Sequence, residues 1–217
     1  MKKEVWLNLG CGIYLADKPF INVDKYVDFE ELVKGINKKD SAYRDGRVPK
    51  DCAFVQASMT ELPFKDNSID YVESNDSIEH LSWNEVDVAF KEIYRVLKPG
   101  GKLGLMTTNF DEVARLWNSN ITGKKLNTPA EINQYLTLSQ VIYGNQSHPG
   151  EFHKVPFNPY TLAYRLENAG FNIENLVIDI YPTGSPCVVK AKAFKTLKAK
   201  LKGTFILTEM MWVEVIK

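Results

Sequence analysis

Apolar positions along this chain fall into two periods. Val5, Trp6, Leu7 and Leu9 form one short apolar run, and Phe20, Ile21 and Val23 form a second that ends on Asp24. Runs of this length and density read as buried parallel strands. Ala53-Phe54-Val55-Gln56, Ser68 to Ser74 and Lys102 to Thr108 are three more. Between the fourth and fifth, Val86, Phe90, Ile93 and Leu97 recur at three-to-four spacing, which predicts a helix with one apolar face. Ser82 with Glu85 is a capping box at its start, and Pro99-Gly100-Gly101 stops it. Strands that alternate with helices predict a parallel sheet with helices on both faces.

The second half continues with shorter helices. Asp111 to Asn118 reads as one. Thr128-Pro129-Ala130-Glu131 is a capping box with proline at the first helical position, opening a helix through Ile132, Tyr135, Leu136, Leu138 and Ile142 that Gly144 ends. Asn145 to Phe157 carries two histidines, two prolines and two phenylalanines, a composition that suits a functional lid. Asn158-Pro159 starts another helix, apolar at Leu162, Ala163 and Leu166 and ended by Gly170. Phe171 to Tyr181 predicts a sixth strand and Phe205 to Ile216 the last; Cys187 to Leu201 reads as a basic amphipathic helix, with a strand start through Val188, Val189, Ala191 and Ala193 as the alternative. Asp28 to Asp51, charged throughout, reads as a helix and exposed loop inserted after Asp24, near enough to the site to act as a cover.

Chemistry concentrates where the first strand meets Gly10-Cys11-Gly12. Glycines there let the backbone turn sharply and let a ligand approach closely, because no Cβ stands in the way. A carboxylate at the tip of the neighbouring strand, Asp24, stands where α/β proteins accept hydrogen bonds from the hydroxyls of a ribose. What is missing narrows the ligand. The dinucleotide fingerprint needs a third glycine three positions on, where Leu15 stands. No Gly-Lys-Ser/Thr phosphate loop is present. Only eleven residues, Gly10 to Phe20, separate the two strands, room for a helical turn or two rather than a full helix. The loop suits a ligand with a ribose and little negative charge.

These residues resemble a known family. Leu7 to Gly12, the Asn22-Val23-Asp24 strand end, Glu61-Leu62-Pro63-Phe64, Ser68 to Val72, and Tyr94 to Gly101 look, in order and spacing from about residue 4 to 108, like class I S-adenosylmethionine-dependent methyltransferases. The short first connection and His153-Lys154 are similar to a subgroup with a shortened first helix after the glycine loop. The resemblance implies a doubly wound, mostly parallel seven-stranded sheet of the Rossmann-like methyltransferase type. Its C-terminal strand would be antiparallel, between the fifth and sixth. It also implies S-adenosylmethionine as cofactor, with S-adenosylhomocysteine as product. Carried over by position, Gly10, Cys11 and Gly12 would pass the methionine part, Asp24 would hold the ribose, Ser58 and Met59 would lie at the adenine, and Asn75 would edge the methyl-transfer pocket. Three positions depart from the pattern: Asn8 where the family usually has an acid, Tyr14 where a third glycine is common, and Ser58 where an aspartate commonly contacts the adenine. Loss of one charged-bond increment costs about 1 to 3 kcal/mol, up to about a hundredfold in affinity.

A base is needed only if the acceptor loses a proton as it attacks. His80 is the first candidate, with Glu79 and His153 behind it; capping or packing for His80 and loop anchoring for His153 are the competing readings. Cys11 reads as a small packed side chain rather than a nucleophile. The histidines are too few and the cysteines too far apart for a metal signature.

Composition adds limits. The 217 residues read as a single domain, a cofactor half to about residue 108 and a substrate and lid half from about 109. Lys plus Arg and Asp plus Glu number 27 each, without the basic footprint of a general nucleic-acid binder. Three cysteines, 11, 52 and 187, suit a reducing cytoplasm, and no apolar stretch reaches a membrane span. The acceptor expected is a small molecule or a glycan precursor. The other readings are a nucleic-acid or protein methyltransferase using the basic Lys190 to Lys202 face, and a non-catalytic binding protein of methyltransferase type; oligomeric state stays open.

Overall fold

The computed structural model describes residues 4–38, 47–49, 51–147, 149–182 and 209–217. Seven strands form one sheet: β1 (Trp6–Leu9), β2 (Phe20–Asp24), β3 (Ala53–Gln56), β4 (Ile69–Asn75), β5 (Leu97–Thr108), β6 (Asn172–Pro182) and β7 (Glu209–Ile216). Their order is β3-β2-β1-β4-β5-β7-β6. The pairings from β3 to β5 are parallel, and β7 runs antiparallel to both β5 and β6. This is the sheet the resemblance implies, with the last strand where it was expected.

Alternation along each strand sorts the two faces. Leu7, Leu9, Val23, Val72, Leu103 and Leu105 point to one face and form a single core with α2 (Trp83–Val96) and α5 (Pro159–Ala169), through Val86, Phe90, Ile93, Leu162 and Leu166. On the other face α1 (Phe29–Asn37) packs Leu32 against Cys11 and Leu15, and Phe29 stacks on Phe54 at 5.0 Å between ring centroids. The inserted segment is thus a helix capped by Asp28, whose side chain accepts from the Glu31 N–H; residues 39–46 lie outside the described residues.

The boundary between α2 and β5 differs most from the sequence reading. Leu97 does not close the face of α2 but opens β5, pairing with Ile69. Proline disfavours helical backbone in the residue before it, so Pro99 holds Lys98 extended and the helix has to end at Val96. The register then shifts between Ile69 and Tyr71, which absorbs the early start. The remaining helices are α3 (Phe110–Asn120) and α4 (Pro129–Tyr143). The predicted basic helix over 187–201 and the start of the last predicted strand lie outside the described residues.

Candidate active site

Gly10 and Gly12 take φ of +65° and +50° just beyond β1, backbone that side chains rarely adopt. The turn is tied to β2, where the Val23 carbonyl accepts from the N–H groups of Gly10 and Cys11 at 2.8 and 3.3 Å. At Gly10 space also demands glycine, because a Cβ would stand 2.4 Å from Ser77 Cβ. The Ser77 hydroxyl donates to the Leu9 carbonyl at 3.3 Å, so Ser74, 2.6 Å away, must donate to Ser77. The connection to β2 holds turns and no helix. An amide pair braces it instead. Asn8 donates to the Tyr14 carbonyl and to Asn22 Oδ1, which also accepts from the Ala16 N–H. Asn22 in turn donates to the carbonyls of Ala16 and Ala53.

The Asp24 carboxylate collects three main-chain donors: Gly12 N–H on Oδ2 at 3.0 Å, and Tyr26 and Val27 N–H on Oδ1 at 2.8 and 3.2 Å. A carboxylate offers about four acceptor lobes, which leaves one for a ligand hydroxyl. The same side chain thus ties the glycine turn to the segment after β2 and keeps an acceptor position open. Met59 Cε lies 3.4 Å from the point where a Gly10 Cβ would stand, so Met59 covers the glycine turn. The Ser58 hydroxyl is bound to Thr60, 2.7 Å from its Oγ1. Asn75, at the end of β4, donates to Glu73 at 2.8 Å, while its own Oδ1 is buried without a partner. Cys11 is 4 % exposed among apolar neighbours, and burial first, then Asp24, pushes its thiol pKa far up. That is a packing cysteine, not a nucleophile.

Beyond β4, Ile78–His80 forms a short 3-10 turn. The segment Asn145–Phe157 is fastened to it. Glu79 O accepts from Lys154 N–H at 2.8 Å and Val155 N–H at 3.2 Å. His80 Nδ1 lies 3.2 Å from the Phe152 carbonyl, and His153 Nδ1 lies 2.7 Å from the Val141 carbonyl. A carbonyl only accepts, so both rings carry a proton on Nδ1. Burial, and then the neighbouring His153, lowers the His80 pKa below its ordinary value and keeps that ring neutral near pH 7. Glu79 is different. Its carboxyl is 2 % exposed and faces Thr107 and Thr108 without closing a hydrogen bond of normal geometry. Burial first, and Asp76 second, push it up to about 8.

One cavity of about 2240 Å³ brings these groups together. Asn8, Gly10, Cys11, Gly12, Asp24, Ser58, Met59, Asn75, His80 and His153 all line it; Glu79 does not, since its carboxyl points beneath the lid. Sequence reasoning missed Asp76 and Ser77 in the same wall. Asp76 has φ of +45° at the strand tip, a strained position of the kind that clusters at functional sites. Asn75-Asp76-Ser77 is a turn-forming composition, and that was the available signal.

Residues 7–105 match the methyltransferase domain family. The ubiquinone/menaquinone biosynthesis C-methyltransferase UbiE of Rhizobium rhizogenes is 29 % identical over 162 residues, 68 % of this chain and 61 % of that protein. Sterol 24-C-methyltransferase erg-4 of Neurospora crassa is 30 % identical over 62 % of this chain and 36 % of its own length. The aligned region thus spans about a third to three fifths of these curated relatives. A solved S-adenosylmethionine-dependent methyltransferase from Methanosarcina mazei superposes with a TM-score of 0.58 at 15 % identity, over 100 % of this chain and 93 % of that one.

Proposed function

Since residues 7–105 match the methyltransferase domain family, we propose that the chain is a class I S-adenosylmethionine-dependent methyltransferase and transfers a methyl group to a small-molecule or glycan-type acceptor held under the Asn145–Phe157 lid. The observation that carries this reading is the continuity of a single cavity from the glycine turn to the two histidines. The cofactor wall fits such a ligand: Gly12 has open space where a Cβ would be, Asp24 keeps an acceptor lobe, and Asn75 keeps a buried acceptor oxygen. A lidded acceptor end favours a compact acceptor over a polymer. The relatives named above, a quinone-biosynthesis and a sterol methyltransferase, support the same class.

In this reading Gly10, Cys11 and Gly12 would lie against the amino acid part of the cofactor, Asp24 at its ribose, Met59 and Ser58 at its adenine, and Asn75 beside the reacting methyl. Asn8 acts one step back, by holding Tyr14 and Asn22. When bound, S-adenosylmethionine supplies an electrophilic methyl group on a sulfonium. The chain has to align the acceptor and keep water out. His80, kept neutral by burial, takes the acceptor proton where the acceptor has one to lose. His153 anchors the lid rather than sharing that task, and Glu79 positions both through its carbonyl.

Calorimetric titration with S-adenosylmethionine and S-adenosylhomocysteine tests the cofactor assignment. Saturable binding that weakens at least tenfold in Asp24→Ala supports it. Absence of binding to either ligand sinks it.

A further inference from the structure

Helix α4 is unusual for an exposed helix. Of its fifteen residues, Glu131 alone carries charge, and that carboxylate is spent on the capping box, accepting from the N–H groups of Asn127 and Thr128. Exposed helices keep charged residues on the outer face. Here, at about 100° per residue, Ile132, Leu136 and Tyr143 fall within one narrow sector, and they are 43, 52 and 58 % exposed. Leu138 is the one buried side chain of the helix, and Tyr135 leans on Trp117 with ring centroids 5.2 Å apart. On the far side of the same helix, Thr137 and Val141 line the large cavity. The helix is therefore a wall with the site on one side and an apolar stripe on the other.

We propose that this stripe seats the protein on an anionic lipid surface and that the acceptor is an amphiphile taken from that surface. The proposal rests on the methyltransferase reading above and narrows its acceptor. Two features choose lipid as the occupant. The turn leading into α4 carries Lys124 and Lys125 with no acid between Ile121 and Thr128, a local charge that complements anionic headgroups. Tyrosine at the end of an apolar stripe suits the headgroup boundary, where its ring is apolar and its hydroxyl stays wet. Glu112 pairs with Arg115 and Glu131 lies close enough to Lys124 to feel its charge, which leaves Lys125 as the surplus cation of this turn. A second copy of the chain fits less well, because three half-exposed side chains fall well short of the roughly 800 Å² per partner of a stable interface. No described helix is long and apolar enough to cross a membrane, so the seat is on the surface. Lining the cavity and facing lipid with one helix gives an apolar acceptor a short path from bilayer to site.

The test is co-sedimentation of the full chain with vesicles of phosphatidylcholine alone and of equal parts phosphatidylcholine and phosphatidylglycerol. Alongside the wild type stand Ile132→Asp/Leu136→Asp and Lys124→Glu/Lys125→Glu, with S-adenosylhomocysteine affinity measured on every protein. The expected result is binding to the anionic vesicles that falls at least tenfold in both double variants, with the affinity for S-adenosylhomocysteine unchanged. Wild type that binds S-adenosylhomocysteine but no vesicle overturns the proposal and leaves the methyltransferase reading standing. So does a concentration-dependent dimer, seen by gel filtration, that Ile132→Asp/Leu136→Asp dissolves. Wild type that fails to bind S-adenosylhomocysteine overturns the methyltransferase reading itself.

Discussion

His80 and His153 meet edge to face with ring centroids 4.8 Å apart, one from the turn after β4 and the other from the lid. Each spends its Nδ1 proton on a main-chain carbonyl across the contact between lid and body. The pair therefore joins two tasks: it holds the roof down, and it lines the cavity, where His80 is the proposed base.

Separating those tasks is the first prediction. His80→Ala is expected to lower kcat at least a hundredfold for an acceptor that loses a proton, within the range of general-base catalysis, with S-adenosylhomocysteine binding kept. His153→Ala is expected mainly to raise the acceptor KM, because it loosens the lid. Equal loss of kcat in both variants would contradict the division.

The pH profile follows from the lowered His80 pKa. The neutral ring is the active form and also the form the fold accepts, so both activity and this increment of stability are present above the ordinary histidine value. They are lost as pH falls through the lower folded value. The acid limb of kcat is expected below about pH 6.5. A limb above that value would assign the titration to another group.

Glu79 titrates in the opposite sense. Its folded value of about 8 stands above the ordinary 4.5, so across that window the folded state keeps a proton that the unfolded chain has released. Stability falls as pH rises through the window and levels off above it. Glu79→Gln removes the titration. Its Tm is expected to gain on that of the wild type between about pH 5 and about pH 8, and a constant Tm difference would show the carboxyl already ionised.

Gly10→Ala combines two faults, a left-handed φ and a Cβ placed against Ser77. A destabilisation of about 2 to 4 kcal/mol is expected, from strain and overpacking together, with loss of S-adenosylhomocysteine binding. Adding Ser77→Gly should recover part of it, since that change relieves the clash but not the φ. No recovery would mean the backbone strain is the whole cost.

Much of this protein is determined by short-range pattern. Strand positions follow from apolar runs, and the starts of α4 and α5 from capping boxes at Thr128 and Asn158; these depend on neighbours a few residues apart, which sequence displays. Asp24 and the glycine turn were legible for the same reason. Tertiary structure alone decided what each polar side chain does with its hydrogen bonds. Asn8 reads along the chain as a weakened ligand contact, yet it braces Asn22, fourteen residues away. Ser58 turns to Thr60, and Ser77 becomes the neighbour that makes Gly10 necessary. Glu79 stands beside His80 in sequence, yet one lies sealed beneath the lid and the other lines the cavity. A side chain's function depends on its burial and on partners brought from distant segments, and only the closed sheet with its lid brings them together.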